Sequence, residues 1–211
     1  MADEQPTDHD AVIATLEREL GDGAVIETGV IGGDRPVVRV RPDAWANAAR
    51  VCRQVLGFDY LSFIAGIDWM PMPAADEDAE GDTSAPVQPK EMTFGVAGSA
   101  GRFQAFAHVE ATDVPRSGLT LKTDVDENDP RVQSWYETYP GADWHERECW
   151  EMYGFVFDGH PNLRHIYLPS NFEGHPLRKD FPLLAREVKP WPGLVNVEAM
   201  PGDDSDDEAE S

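Results

Sequence analysis

The spacing of apolar residues predicts a helix near the N-terminus and a second helix about thirty residues later. Apolar residues recur at helical spacing over Ala11–Leu20, with Asp10 as a candidate N-cap and Gly21 at the end of the run. A second apolar stripe begins after Pro42, which suits a first helical turn, and continues to Gly57. Both patterns are typical of helices that bury one side.

Between and after these helices, short runs rich in β-branched and aromatic residues predict strands. The tetrapeptide at residues 98–101, Gly-Ser-Ala-Gly, is typical of a hairpin turn and predicts pairing of the strands on either side of it. The predicted strands are Ala24–Glu27, Val37–Arg41, Phe58–Ile67, Glu91–Ala97, Arg102–Val109 and a run through Leu119, Leu121 and Thr123.

The last third of the chain has a different pattern. Asp129-Pro130 predicts the start of a short helix over Val132–Tyr136, and a longer helix is predicted over Asp143–Tyr153, ended by Gly154. Residues 155–192, here called the C-terminal arm, are interrupted by Pro and His and predict a loop with short extended pieces. The order of elements predicts an α+β fold: a mainly antiparallel sheet with helices on one face, followed by an extended C-terminal arm.

Charge is distributed unevenly and excludes two classes of partner. The chain has 17 Lys and Arg against 40 Asp and Glu, a net charge of −23, so nucleic acid and anionic membrane surfaces would repel it. Fifteen of the acids fall in three segments without any Lys or Arg, namely residues 1–10, 76–82 and 202–211. Such solvated segments cannot bury enough apolar surface to fold.

These features predict the domain organisation. We expect a disordered acidic N-terminus over residues 1–9 and an α+β body over 10–140, with an acidic loop insertion at 71–90. The long helix and the C-terminal arm follow over 141–192, and an acidic disordered tail occupies 193–211.

Cysteine content and hydropathy exclude further classes. Cys52 and Cys149 are the only cysteines, which excludes a disulfide framework and any four-cysteine zinc or iron–sulfur site within the chain. The longest apolar stretch, Tyr60–Ile67, is far shorter than the roughly 20 residues of a membrane-spanning helix. The N-terminus does not resemble a signal peptide. We therefore expect a soluble, cytoplasmic chain.

Two related phrases in the C-terminal arm are the main candidates for chemistry. Gly159-His160-Pro161-Asn162-Leu163-Arg164 is echoed by Gly174-His175-Pro176-Leu177-Arg178. Three interpretations stay open at this point. His160, His165 and His175 could form a general base or a metal site, His and Arg could tie the loop to backbone carbonyls, or the phrases could form a surface that a partner completes.

The preceding helix carries its own candidates. His145 and Cys149 lie one turn apart, a spacing that can hold zinc, but Cys149 also belongs to an apolar stripe that predicts burial. Arg147 and Glu151 are likewise one turn apart and within reach of an ion pair.

These residues resemble a known family. Residues 144–154, Trp-His-Glu-Arg-Glu-Cys-Trp-Glu-Met-Tyr-Gly, and the first Gly-His-Pro phrase closely resemble the signature of the C subunit of proton-translocating NADH–quinone oxidoreductase, respiratory complex I. Residues 173–183, Glu-Gly-His-Pro-Leu-Arg-Lys-Asp-Phe-Pro-Leu, are similar to a second phrase of that family. Phe155 and His165 depart from the usual pattern at positions that affect packing or a single contact.

The resemblance implies a function that belongs to an assembly. It implies a non-redox subunit of the peripheral arm, on the cytoplasmic face of the cell membrane, packed against the quinone-site D subunit and neighbouring iron–sulfur subunits. FMN and iron–sulfur clusters would lie in those neighbours, and the isolated chain would have no cofactor, no metal and no activity. The alternatives are the equivalent subunit of a related membrane-bound hydrogenase or other quinone-reducing complex, and a free-standing hydrolase that uses Glu148 or a histidine as general base.

We interpret Glu146–Leu168 and Glu173–Leu183 as the two parts of a docking surface, in which basic residues pair with carboxylates or carbonyls and apolar residues act as anchors. No catalytic, cofactor-binding or metal-binding residue is predicted. The predicted interface residues are Glu146, Arg147, Glu148, Trp150, Tyr153, His160, Leu163, Arg164, His175, Leu177, Arg178, Lys179, Asp180 and Phe181.

Overall fold

A computed structural model of the protein describes residues 9–32, 35–71, 91–113 and 117–182. The predicted acidic tail, nearly all of the acidic N-terminus and nearly all of the acidic loop lie outside the described residues. Residues Met1–Phe181 form one unit and Pro182–Ser211 a second, of which only Pro182 is described.

Three helices and seven strands are present in the described residues. Helix α1 begins one residue earlier than Asp10, so this acid lies in the first turn and is not the N-cap. A 3₁₀ turn over Pro42–Ala44 leads into α2. The helices are α1 (His9–Leu20), α2 (Trp45–Gln54) and α3 (Ala142–Tyr153), and the strands are β1 (Val25–Ile31), β2 (Arg35–Val40), β3 (Tyr60–Asp68), β4 (Phe103–Glu110), β5 (Gly118–Val125), β6 (Arg131–Gln133) and β7 (Val156–Asp158).

The main sheet has the strand order β1-β2-β5-β4-β3. Strands β1 and β2, β3 and β4, and β4 and β5 pair antiparallel, whereas β2 and β5 pair parallel. Strands β6 and β7 form a separate two-stranded parallel pair. The predicted α+β fold with a mainly antiparallel sheet is confirmed.

The sheet separates two unlike faces, as the alternation of side chains in β4 shows. Phe103, Ala105, Ala107 and Val109 belong to the apolar core with the buried residues of all three helices. The intervening residues point to the opposite face because side chains alternate along a strand. This opposite face, here called the outer face, carries polar and aromatic residues, among them Gln104, Phe106 and His108. The helices therefore cover one face only, as predicted.

Helix α2 packs on the core through the predicted stripe. Trp45, Ala48, Ala49 and Cys52 are all fully buried. The indole rings of Trp45 and Trp135 lie 4.4 Å apart between centroids, and Trp135 Nε1 donates a hydrogen bond to the Trp45 carbonyl at 3.2 Å. An indole buries roughly 150–250 Å², which at about 25 cal/mol per Å² contributes roughly 4–6 kcal/mol. This pair joins α2 to the segment that precedes α3.

The predicted strand over Glu91–Ala97 is wrong. Residues 91–95 have no regular structure and a turn follows at Val96 and Ala97. Strand β4 is paired on one edge with β3 and on the other with β5, so it has no free edge for a hairpin partner. The segment instead contacts the outer face, where the rings of Phe94 and Trp69 meet edge to face at 5.9 Å. Tertiary contacts have overridden the local turn signal.

The predicted helix over Val132–Tyr136 is also wrong. Its first residues form β6, in which Val132 is opposite Phe157 of β7. The Trp135 amide donates a hydrogen bond to a side chain of α3, and the indole ring of Trp135 is buried. The apolar residues at intervals of three and four are therefore buried in an irregular segment and do not form one face of a helix. Spacing alone cannot distinguish these two cases over so short a stretch.

Candidate functional site

Glu151 of α3 is the main acceptor for the first part of the C-terminal arm. Its buried Oε2 accepts hydrogen bonds from the amides of Ile166 and Tyr167, at 3.3 and 3.0 Å. Its Oε1 accepts from the Leu168 amide and from His165 Nδ1, both at 2.8 Å. Burial acts to raise the pKa of Glu151, but these donors outweigh burial and hold that pKa below its ordinary value. The carboxylate is therefore ionised at neutral pH.

Arg147 fixes the same part of the arm from the neighbouring side of α3. Its Nε donates to the Arg164 carbonyl and its Nη2 to the His165 carbonyl, both at 3.1 Å. Its Nη1 lies 3.6 Å from Asp143 Oδ2, one turn earlier on the helix. The ion pair with Glu151 that the spacing places within reach does not form, because Glu151 accepts hydrogen bonds from the amides of the arm. Arg147 is thus a buried clamp on backbone oxygens.

The second Gly-His-Pro phrase completes the C-terminal end of α3. The carbonyls of residues 151–153 accept, in order, from His175 Nδ1 at 2.9 Å, the Leu177 amide at 3.1 Å and Arg178 Nε at 2.6 Å. These are carbonyls that a helix end otherwise leaves without partners. The helix stops at Gly154, whose φ of 79° is left-handed, and a Cβ there would lie 2.6 Å from His175 Nε2 and from Arg178 Nη2. The glycine permits this close approach.

An ion-pair group anchors the last described part of the arm to the sheet. Arg102 Nη2 lies 2.8 Å from Asp68 Oδ2 and 3.0 Å from Asp180 Oδ1, and its Nη1 lies 3.0 Å from Glu127 Oε1. The Lys179 amide also donates to Asp68 Oδ2 at 2.8 Å. Burial acts to raise the pKa of Asp68, but the Arg102 guanidinium and the amide donors lower it overall. The arm is therefore held at the β3–β4 end of the sheet as well as along α3.

Glu146 lies inside the protein. Its carboxyl group is fully buried and accepts from Ser134 Oγ and from the Trp135 amide, each at 2.6 Å. Burial raises the pKa of Glu146 to about 7, although both donors act in the opposite direction. Glu146 therefore links α3 to the segment after β6, and no part of it is exposed to a partner.

The predicted interface residues differ widely in exposure. This difference separates residues that make contacts inside the chain from residues that are accessible to a partner. The structure brings most of them together along α3 and its C-terminal end. Glu146 and Arg147 are buried; Glu148, Trp150, Tyr153, His160, Leu163, His175, Arg178 and Phe181 are half-buried; Arg164, Leu177, Lys179 and Asp180 are exposed.

The histidines of the arm contact separate acceptors. His160 Nε2 lies 3.2 Å from Asp143 Oδ1, whereas His165 and His175 contact the side chain and the carbonyl of Glu151. Within the described residues, no group of three or more His, Cys, Asp or Glu is arranged to hold a metal ion. The geometry favours the interpretation in which His and Arg side chains tie the loop down.

Several important residues were not identified from the sequence. Asp68 and Arg102 carry no sequence signal, because they are distant in the chain and meet only in the folded sheet. Trp144 and Tyr167 are 69% and 63% exposed and line a cavity of about 530 Å³ beside α3. Trp144 could have been found as an aromatic residue away from the buried stripe that contains Cys149.

The fold and the site define an α+β protein whose C-terminal arm is fastened to helix α3, and comparison with known proteins assigns its family. The family model described as respiratory-chain NADH dehydrogenase, 30 Kd subunit, matches residues 38–187, more than two thirds of the chain. The chain therefore belongs to the family of the 30 Kd subunit of respiratory-chain NADH dehydrogenase. The resemblance found in the sequence is confirmed.

Individual relatives agree with this assignment. The chain is 34% identical over 183 residues to the C subunit of NADH-quinone oxidoreductase from Roseiflexus sp. strain RS-1, covering 86% of this chain and 88% of the relative. It is 47% identical over 92 residues to the C/D subunit of NADH-quinone oxidoreductase from Klebsiella pneumoniae strain 342, covering 44% of this chain. The chain spans only 15% of the length of such C/D relatives.

A solved structure supports the fold. A chain of the membrane-bound sulfane sulfur reductase, an archaeal respiratory membrane complex, matches with a TM-score of 0.58 and 20% identity, over 84% of this chain and 86% of that chain. In the part of the chain that the structure describes, no helix is long and apolar enough to cross a membrane.

Proposed function

We propose that this chain is a non-redox peripheral-arm subunit of proton-translocating NADH–quinone oxidoreductase. The family match over residues 38–187, which contains both Gly-His-Pro phrases, is the observation that carries the proposal. In this role the chain holds its neighbours in the geometry that lets electrons pass from NADH to quinone, coupled to proton translocation. FMN and iron–sulfur clusters belong to those neighbours, and the isolated chain has no activity.

The proposed partners are the quinone-site D subunit and neighbouring iron–sulfur subunits. Relatives named as C/D subunits support the first of these, because their names join C and D in one protein. The proposed location is the cytoplasmic face of the cell membrane, with membrane contact only through the complex. The net charge of −23 supports protein partners in place of nucleic acid or anionic lipid.

The attachment of the arm to α3 supports a docking role for its exposed residues. Arg147 and Glu151 fix the backbone around residues 164–168 from inside the chain. Arg164 and Leu177 then extend outward from a backbone that is already ordered, and Leu177 is 50% exposed. A preorganised surface loses less conformational entropy when it binds. Arg147, a buried member of the predicted interface, thus acts by shaping the arm, and the exposed members contact partners.

Purification of the tagged chain from its native membranes tests the assembly. We expect the other subunits of NADH–quinone oxidoreductase to co-purify, together with NADH-dependent reduction of quinone that the isolated chain lacks. Recovery of the chain alone, or hydrolysis of esters or phosphates by the isolated chain, would contradict the proposal and favour the hydrolase alternative.

Arg164→Ala tests the docking surface itself. Among the described residues the Arg164 side chain forms no ion pair or hydrogen bond, so its loss should leave the melting temperature of the isolated chain unchanged. Removing one partner of a charge pair that becomes buried on assembly costs about 3–5 kcal/mol, so recovery of the complex should fall at least tenfold. Arg18→Ala, which removes an exposed basic side chain of α1, is the matched control. Normal assembly of Arg164→Ala would show that Arg164 is not part of the interface.

A second candidate is the equivalent subunit of a related membrane-bound hydrogenase or other quinone-reducing complex. The fold match to a chain of the archaeal sulfane sulfur reductase supports this candidate. The identity of the co-purified subunits and the dependence of activity on NADH distinguish the two.

A further inference from the structure

The outer face of the sheet contains a groove that the proposed docking surface does not use. The groove encloses about 480 Å³, a volume within the usual range for binding sites. Its wall is largely apolar, and it is separated from α3 and its arm by the thickness of the sheet. The side chains that matter to its chemistry are Phe63, Trp69, Phe106, His108 and Lys122.

Lys122, in the middle of the central strand β5, is the unusual group in this groove. It is 4% exposed, and its Nζ donates one hydrogen bond, to the Val96 carbonyl at 2.8 Å. Its Nζ also lies 5.5 Å from the centre of the Trp69 ring. Within the described ranges, Lys122 takes part in no ion pair, so an ammonium with three donors is buried against one carbonyl and one ring. Burial lowers the pKa of Lys122.

The nearest carboxylate on the same strand and face is already occupied. Asp124 Oδ2 accepts from Arg39 Nη1 at 2.9 Å. Its Oδ1 accepts from Gln104 Nε2 at 2.8 Å and from Ser99 Oγ at 3.1 Å. Asp124 therefore compensates Arg39 and cannot serve as the close partner of Lys122.

The remaining charges around the groove leave an excess of positive charge. His108 Nε2 lies 3.0 Å from Glu110 Oε1, and its Nδ1 contacts Thr120 Oγ1 at 2.9 Å. Burial lowers the pKa of His108, and although the charge of Glu110 acts to raise it, burial and the charge of Arg35 outweigh this effect, so the imidazole is neutral at pH 7. Among the described residues that line it, the groove thus presents Arg35 and Lys122 against the single carboxylate of Glu110, in a chain with a net charge of −23.

We propose that the groove binds a carboxylate side chain, carried on an apolar segment of a neighbouring protein subunit, which pairs with Lys122. Lys122 has no counter-ion in the part of the chain that the structure describes, and a buried ammonium without one is costly. A carboxylate from a neighbouring subunit would supply the opposite charge and accept hydrogen bonds from Lys122 Nζ. The apolar wall formed by Phe63 and Phe106, whose rings meet at 5.3 Å, would receive the flanking residues of that segment. This inference rests on the proposed function, because it requires a multi-subunit assembly.

Lys122→Met separates this role from a structural one. Methionine is similar in length and carries no charge, so the isolated chain should keep its melting temperature or gain in it, whereas recovery of the complex should fall at least tenfold. Arg18→Met on α1 is the control for loss of a basic residue and should assemble normally. A lower melting temperature with normal assembly would show that Lys122 serves only to hold Val96, and would overturn the proposal.

Sodium octanoate, with octanol as the neutral control, identifies the source of the carboxylate. We expect weak binding of octanoate to the isolated wild-type chain, about millimolar, detected by NMR at the Lys122 ammonium and absent from Lys122→Met. Micromolar octanoate binding together with normal assembly of the variant would identify a free amphiphilic acid as the ligand and overturn the subunit proposal. If the wild-type chain fails to co-purify with any subunit, the proposed function is wrong. If octanoate binding that depends on Lys122 is then also absent, the groove is not a carboxylate-binding site.

Discussion

Replacement of Glu151 by glutamine tests how α3 holds the first part of the C-terminal arm. Each oxygen of Glu151 accepts two hydrogen bonds, so an amide nitrogen in place of either oxygen leaves two donors without an acceptor. A buried donor without an acceptor costs about 1–3 kcal/mol. We expect a loss of about 3 kcal/mol in the free energy that keeps residues 165–168 closed. At 1.36 kcal/mol per tenfold change, this raises local opening on the order of 100-fold.

Amide hydrogen exchange measures this opening directly. The amides of Ile166, Tyr167 and Leu168 should exchange on the order of 100-fold faster in Glu151→Gln, while the amides of β4 and β5 stay protected. Glu148→Gln is the matched control, because Glu148 lies on the same helix and, among the residues that the structure describes, accepts only from the Tyr167 hydroxyl, at 3.0 Å. Unchanged protection of the three amides in Glu151→Gln would refute the view that this carboxylate fastens the arm.

Three further predictions concern stability and reactivity. Burial raises the pKa of Glu146 to about 7, so its ionisation between about pH 5 and 8 opposes folding. The free energy of unfolding, measured in urea, should fall by about 3 kcal/mol over that pH range because of Glu146. This contribution should be absent from Glu146→Gln. Gly154→Ala should lower the melting temperature and speed exchange at Leu177, since alanine is strained at a left-handed φ and its Cβ meets the arm; equal stability would contradict the assigned cap. Burial raises the thiol pKa of Cys52 and Cys149, so neither should react with Ellman's reagent in the native chain, and both should react in urea.

The long periodic elements could be predicted from the sequence because their periodicity and their burial agree. Helix α2 shows this: the stripe from Trp45 to Cys52 is the stripe that the structure buries. Local signals failed where the partner is distant. Pairing of β4 on both edges decides the fate of residues 91–97, and contact with β7 and α3 turns the predicted helix at 132–136 into β6 and an irregular segment.

The site could be predicted in outline only. The two Gly-His-Pro phrases and helix α3 could be identified from the sequence. Which of their residues make internal contacts and which stay exposed depends on distances in the folded chain. Glu146 and Arg147 illustrate this point, since the same sequence phrase that suggested an interface places both of them inside. Asp68 and Arg102 could not be found, because only the pairing of β3 with β4 brings them together.

The completion of α3 by residues that follow it has a consequence for biosynthesis. A chain that leaves the ribosome from its N-terminus produces α3 before the groups that satisfy its last three carbonyls. These three carbonyls must therefore be satisfied by water until Arg178, about 25 residues later, has left the ribosome. A nascent chain that still holds Arg178 inside the ribosome would expose the unfinished end of the helix to chaperones, whereas one from which Arg178 has emerged would not.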